Sequence, residues 1–159
     1  MADEVAVSSS TLTAGDVRAL VAYLRSIPAL HARELPAVRT DAASDTPKQM
    51  QAAVDPRGRE IFEGACASCH EWSGVSRLTG YATLTGDRAV NDPSGVNVAS
   101  MVLSGARIGA AEGPVLMPAF GHAYSNGEIA AVTNYVTARF GGTPSHLTAR
   151  EVGRLREAE

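Results

Sequence analysis

The chain has 159 residues, 45% of them hydrophobic and 19% charged, with a net charge of −3. That length suits one small domain with additions, and the weakly acidic balance has no basic stripe of the kind nucleic acid requires. No apolar run reaches the roughly 18 residues of a membrane span, and the first thirty residues lack the basic-then-apolar order of a secretory leader.

Thr13-Ala14-Gly15-Asp16 opens the first predicted helix, since threonine and an acid three residues on can satisfy each other's backbone donors. Val17, Leu20, Val21 and Leu24 follow at helical spacing. Residues 31–54, with Pro36, Pro47 and several Ala, Ser, Thr and Asp, read as a linker. Asp55-Pro56 opens a second helix, with proline at its favoured first turn. Its apolar residues Ile61, Phe62 and Ala65 run into Cys66-Ala67-Ser68-Cys69-His70. A third helix is expected from Asp92-Pro93, with Val96, Ala99, Val102 and Leu103 on one face, Met101 in the core and Gly105 as its stop. The segment Gly113-Pro114-Val115-Leu116-Met117-Pro118-Ala119-Phe120-Gly121 holds two prolines and two glycines and reads as stiff and non-helical. Ser125-Asn126-Gly127-Glu128 is a second capping box, followed by the stripe Ile129, Val132, Tyr135, Val136 and Phe140 and the stop Gly141-Gly142. Thr148-Ala149-Arg150-Glu151 starts a charged helical tail whose only apolar anchors are Val152 and Leu155. No segment sustains strand alternation, so the expected class is all-α.

The first helix repeats the one that starts at Ser125. Cap, acid, aliphatics and tyrosine fall in register from Thr13 to Leu24 and from Ser125 to Val136, an offset of 112 residues (13 to 125). That spacing matches one module of about 100 residues. The expected organisation is therefore a closing helix of a preceding, absent domain at 1–30, a linker at 31–54, a central domain at 55–142 and a charged helical tail at 143–159.

Cys66 and Cys69 are the only two cysteines in the chain, three positions apart and followed at once by His70. This is the arrangement that covalent haem c attachment requires. The thiols can form thioethers to the two vinyl groups, and the imidazole becomes an axial ligand of the iron. A dithiol redox pair would belong at the end of a strand in a βαβ unit, and a zinc site would need two more ligands at matched spacing. Neither pattern surrounds the motif. Candidates for the ligand opposite His70 are Met50, Met101, Met117, His122, His31 and His146. Met117 is preferred because its proline-rich segment can present the sulfur at low entropic cost, with His122 as the alternative. Arg107 is a candidate donor to a haem propionate, and Trp72 and Tyr81 are further candidate haem contacts.

With these motifs in place, residues 55–141 resemble a class I cytochrome c domain: N-terminal helix, haem motif, middle helix, methionine loop and C-terminal helix, here with an extra N-terminal helix. Gly58 and Phe62 match that family's helix-crossing positions, against which Tyr135 would pack. Gly80-Tyr81, Asn91-Asp92-Pro93-Ser94, Val102-Leu103-Ser104-Gly105-Ala106 and Met117-Pro118-Ala119-Phe120 resemble the last haem domain of multihaem cytochrome subunits. Those subunits serve membrane-bound bacterial dehydrogenases. The resemblance implies one covalent haem c, one-electron transfer and a periplasmic setting. It implies as partners a dehydrogenase catalytic subunit or neighbouring haem domain, with membrane contact only through the parent complex. The chain is then a carrier and not itself an enzyme. The rival reading is an open-site haem protein, a gas sensor or a peroxidase-like enzyme, should Met117 not hold the iron. The family commonly places a proline after the haem motif to accept a hydrogen bond from the ligand imidazole. No proline lies between His70 and Pro93, so the sequence assigns no acceptor.

Overall fold

A computed structural model describes residues 11–28, 38, 40, 55–110 and 113–158. The predicted linker and the candidate ligands His31 and Met50 thus lie almost wholly outside the described residues. The chain divides into two compact units, Met1–Glu34 with Arg107–Val115, and Leu35–Ala106 with Leu116–Glu159.

In the first unit, α1 (Ala14–Ser26) begins at the predicted capping box: Thr13 Oγ1 accepts from the Asp16 amide and the Asp16 carboxylate accepts from the Thr13 amide. The helix buries none of its residues. Its apolar stripe, Val17, Leu20, Val21 and Leu24, is exposed along its length.

The second unit is built round α5 (Asn126–Phe140), whose predicted stripe is buried at every position. Helix α2 (Pro56–Ile61) crosses α5 at Gly58. A Cβ there would lie 2.2 Å from the Ala131 carbonyl oxygen and 2.9 Å from Tyr135 Cβ, so only glycine permits this approach. Beyond Ile61 the helix widens into one π-helical turn, Phe62–Cys66, and then closes as α3 (Ala67–His70). Phe62 is fully buried and its ring lies 5.5 Å from Tyr135 and 5.3 Å from Phe140. Burying so large a ring is worth about 1.5–3 kcal/mol.

Helix α4 (Val96–Ser104) starts later than the sequence pattern indicates. Asp92 first turns the chain, its Oδ1 accepting from the Ser94 amide, before Gly95 caps the helix. Of the predicted face, Ala99, Val102 and Leu103 are buried, and Val98 is buried with them. Val96 is left in the exposed first turn, and Met101, expected in the core, is 44% exposed.

The described residues are mostly helical, as expected, and the correction to an all-α class is one strand pair, β1 (Ala106–Ala110) and β2 (Gly113–Met117), which form a two-stranded sheet. The residues of β2 are all small or apolar, so no polar alternation marks the strand. Pairing imposes the period of two, with Pro114 and Leu116 exposed and their neighbours half-buried. Proline is tolerated because a two-stranded sheet has free edges. The charged tail forms α6 (Ala149–Glu157), capped by Thr148 and Glu151 as expected. Its Val152 is fully buried and Leu155 packs on the core, so this segment is an integral part of the second unit.

Candidate functional site

One continuous helical segment carries Cys66, Cys69 and His70. Both cysteines are free thiols, Cys66 half-buried and Cys69 exposed. Burial, and secondarily the neighbouring Cys69, pushes the Cys66 thiol up to about 11. It therefore stays a neutral thiol at neutral pH and is not the low-pKa thiolate of a dithiol redox pair. Among the described residues no cluster of three or more His, Cys, Asp or Glu could hold a metal ion.

The acceptor that the sequence could not assign is the carbonyl of Ala82, 2.7 Å from His70 Nδ1. A carbonyl can only accept, so Nδ1 carries the proton and Nε2 is the nitrogen with a lone pair for a metal. Ala82 ends a short 3-10 turn, Gly80–Ala82, started by Thr79, whose Oγ1 accepts from the Tyr81 amide. Any residue type can supply a backbone carbonyl, so no side chain announced this one. The α3 segment is tied again by Ser76, whose hydroxyl donates to the Cys69 carbonyl at 2.7 Å. Directly after His70, Glu71 adopts φ 60 and ψ 157, a region that residues with a Cβ seldom enter. Arg77 holds the Glu71 carboxylate at 3.1 Å.

Two cations lie against the Trp72 ring. The Arg139 guanidinium lies 4.1 Å from its ring centre and that of Arg59 lies 5.3 Å away, while Arg139 Nη2 donates to the Trp72 carbonyl at 2.9 Å. Arg139 is buried on the last turn of α5. Sequence reasoning missed it, because a lone arginine in the last turn of a helix reads as a solvated end charge.

Met117 ends β2 and is half-buried. The segment after it runs over Gly105 (φ 69), where a Cβ would lie 2.5 Å from the Met117 carbonyl oxygen. The Phe120 and Gly121 amides then donate to the Val102 and Leu103 carbonyls at 2.9 and 3.0 Å. Cys66, Trp72, Met117 and Phe120 all pack against one apolar core cluster. His122 and His146 are exposed. Arg107 is exposed on β1, and Tyr81 is exposed in the 3-10 turn.

These residues fit a covalently held haem. Two thiols sit three positions apart beside an imidazole whose free nitrogen is Nε2. In the segment after the motif, Val75, Leu78 and Tyr81 are exposed. No helix among the described residues is long and apolar enough to cross a membrane.

A family model described as cytochrome c oxidase, cbb3-type, subunit III matches residues 53–136. Similar curated proteins include the cytochrome c subunit of gluconate 2-dehydrogenase from Pantoea cypripedii, 29% identical over the whole of this chain and 37% of that protein. The cytochrome subunit of fructose dehydrogenase from Gluconobacter japonicus is 26% identical over 98% of this chain and 36% of its own length. The cytochrome c subunit of the quinone alcohol dehydrogenase from Gluconobacter oxydans is 29% identical over 98% of this chain and 33% of its own length. The chain thus spans about a third of the length of these relatives.

Proposed function

The chain belongs to the family described as cytochrome c oxidase, cbb3-type, subunit III, and from that premise we propose that it relays single electrons through one covalent haem c held by Cys66 and Cys69 and ligated by His70 and Met117. The observation that carries the reading is the 2.7 Å contact between His70 Nδ1 and the Ala82 carbonyl. It fixes the tautomer and the ring plane, and a hydrogen-bonded imidazole is a more basic ligand. Such a haem supplies reversible one-electron chemistry when both axial positions are filled. The chain's own residues do the rest. The two thiols retain the group, Ala82 and Ser76 hold the ligand segment, and the core beneath Cys66 and Met117 keeps water from that side.

The partner follows from how far the similarity extends. The family match covers the central domain, whereas the dehydrogenase cytochrome subunits align over 98–100% of this chain. We therefore assign the electron source to a dehydrogenase catalytic subunit or a neighbouring haem domain, and the outlet to quinone or a terminal oxidase. The setting is the periplasmic face of the membrane, reached through the parent complex.

The same reading covers the domain plan: 1–30 as the closing helix of another haem domain, 31–54 as linker, 55–142 as the haem domain and 143–159 as its helical extension. What supports it is the contrast between repeated helices. Tyr23 is 65% exposed where its counterpart Tyr135 is 2% exposed. A helix face patterned for burial is thus left open in α1, and in this chain by itself a second copy would cover it.

The test is a potentiometric titration of the purified holoprotein with visible spectroscopy of the ferric form. The expected result is one haem per chain, both thiols inert to alkylation, a one-electron transition and the weak red-end band of methionine-bound ferric iron. A high-spin ferric spectrum would instead establish the open-site reading.

A further inference from the structure

The last helix ends on a side chain that reaches back to the segment carrying Met117. From α6, Arg156 Nε donates to Asn126 Oδ1 at 2.9 Å, Nη2 donates to the Tyr124 carbonyl at 3.2 Å, and Nη1 donates to the Gly121 carbonyl. Three acceptors that lie between Met117 and the start of α5 are thus gathered by one planar fork. Arginine suits this task because its donors are fixed in one plane and its charge strengthens each bond. A second observation marks the same place. A Cβ on Gly121 would lie 2.9 Å from the Leu103 carbonyl oxygen and 3.4 Å from Arg156 Nη1, so the loop passes through a slot between α4 and this guanidinium. On its other side the loop is fixed to α4 by the Phe120 and Gly121 amides and runs close over Gly105. Helix α6 is itself rigidly seated. Val152 is fully buried, and Asn134 on α5 exchanges two hydrogen bonds with Leu147, at 2.9 and 2.8 Å, just before the helix begins.

We propose that Arg156 is a positioning residue for the iron ligand Met117: it clamps the loop from the C-terminal side, so that the helical extension governs how often the sulfur leaves the iron. This rests on the assignment of Met117 as ligand. Without the fork, Gly121, Tyr124 and Asn126 lose their shared donor, and the loop keeps only its amide bonds to α4 and its packing on the core. The rest of the core is untouched, because Val152 and Leu155 still seat α6.

The experiment compares wild type with Arg156→Met and Arg156→Lys as holoproteins. It reads the ferric red-end band, the rate at which added imidazole binds the ferric iron, and the melting temperature. Arg156→Met is expected to weaken the band and speed imidazole binding by about tenfold or more, the equivalent of about 1.4 kcal/mol in loop opening. Arg156→Lys, which keeps stem and charge but not the fork, is expected to speed it by less. Should Arg156→Met fail to retain haem, the lysine variant alone decides. A lower melting temperature with wild-type imidazole kinetics in a variant that folds would overturn the clamp and leave only a structural role. A wild-type protein with no red-end band overturns the Met117 assignment and the clamp together.

Discussion

At the scale of single residues, the site depends on a few atoms whose loss has distinct signatures. Replacing Cys66 or Cys69 with alanine leaves one thioether at most. Haem retention should fall sharply, and with it the yield of folded protein, since a haem supplies much of the apolar core of so small a domain. Absorbance at the haem band per milligram and a thermal melt check this; a haem-free variant with a cooperative melt would count against it. Under the proposed ligation, Met117→Ala removes a soft neutral donor that favours ferrous iron. The midpoint potential should drop by roughly 100 mV or more, given that axial-ligand identity moves haem potentials over about 0.8 V. An unchanged potential would point to Met101 or His122. Gly58→Ala tests the crossing of α2 and α5. The added carbon would sit 2.2 Å from the Ala131 carbonyl oxygen, backbone that cannot swing aside. A loss of about 1–3 kcal/mol by denaturant titration is expected.

At the scale of elements, α1 and α5 share a capping box, an aliphatic stripe and a tyrosine, and differ in what covers them. Leu24 is 62% exposed, and its counterpart Val136 is 6% exposed. An isolated helix of this length is marginal in water, so its face is a driving force for association. Deleting residues 1–30 should leave haem attachment and potential nearly unchanged while lowering the mass in solution to that of a monomer, as read by light scattering. Loss of haem on that deletion would mean that the helix belongs to the core of the haem domain. The hairpin of β1 and β2 teaches a different lesson. The residues of β2 carry no polar alternation of their own, and the period of two appears only on pairing.

At the scale of the whole molecule, acid stability follows from how the helices are started. Ser125 holds the Glu128 carboxyl, and Thr148 the Glu151 carboxyl, below the usual carboxylate range, and Arg57 does the same for Asp55. Each depressed value means that the unfolded chain takes up protons first as pH falls. The stabilisation is complete above the unfolded range, near pH 4, and is lost as pH drops through the folded values. All three groups are at the surface, so each contribution is small. The melting temperature of the holoprotein should hold level from pH 7 to about 5 and fall below that. Glu128→Gln with Glu151→Gln should lower it at pH 7 and shrink the acid loss; an acid loss undiminished in that double variant would assign the fall to other groups.

What the sequence determined by itself is everything that depends on local chemistry. The haem motif, the capping boxes at Thr13, Ser125 and Thr148, the proline start at Asp55-Pro56 and the buried stripe of α5 are each set by residues within a few positions of one another. The family resemblance further marked Gly58, Phe62 and Tyr135 as one crossing, where the structure brings them together. What only the tertiary structure decided is every interaction made by backbone groups or by charges arriving from distant segments. The Ala82 carbonyl comes to His70 from 12 residues away, Arg139 reaches Trp72 from 67, and Arg156 reaches Gly121 from 35. A carbonyl is common to all residues and an arginine's reach depends on where its helix is seated, so neither leaves a pattern along the chain. The same holds for the β hairpin and the outward turn of Met101, because pairing and helix rotation are set by neighbours in space.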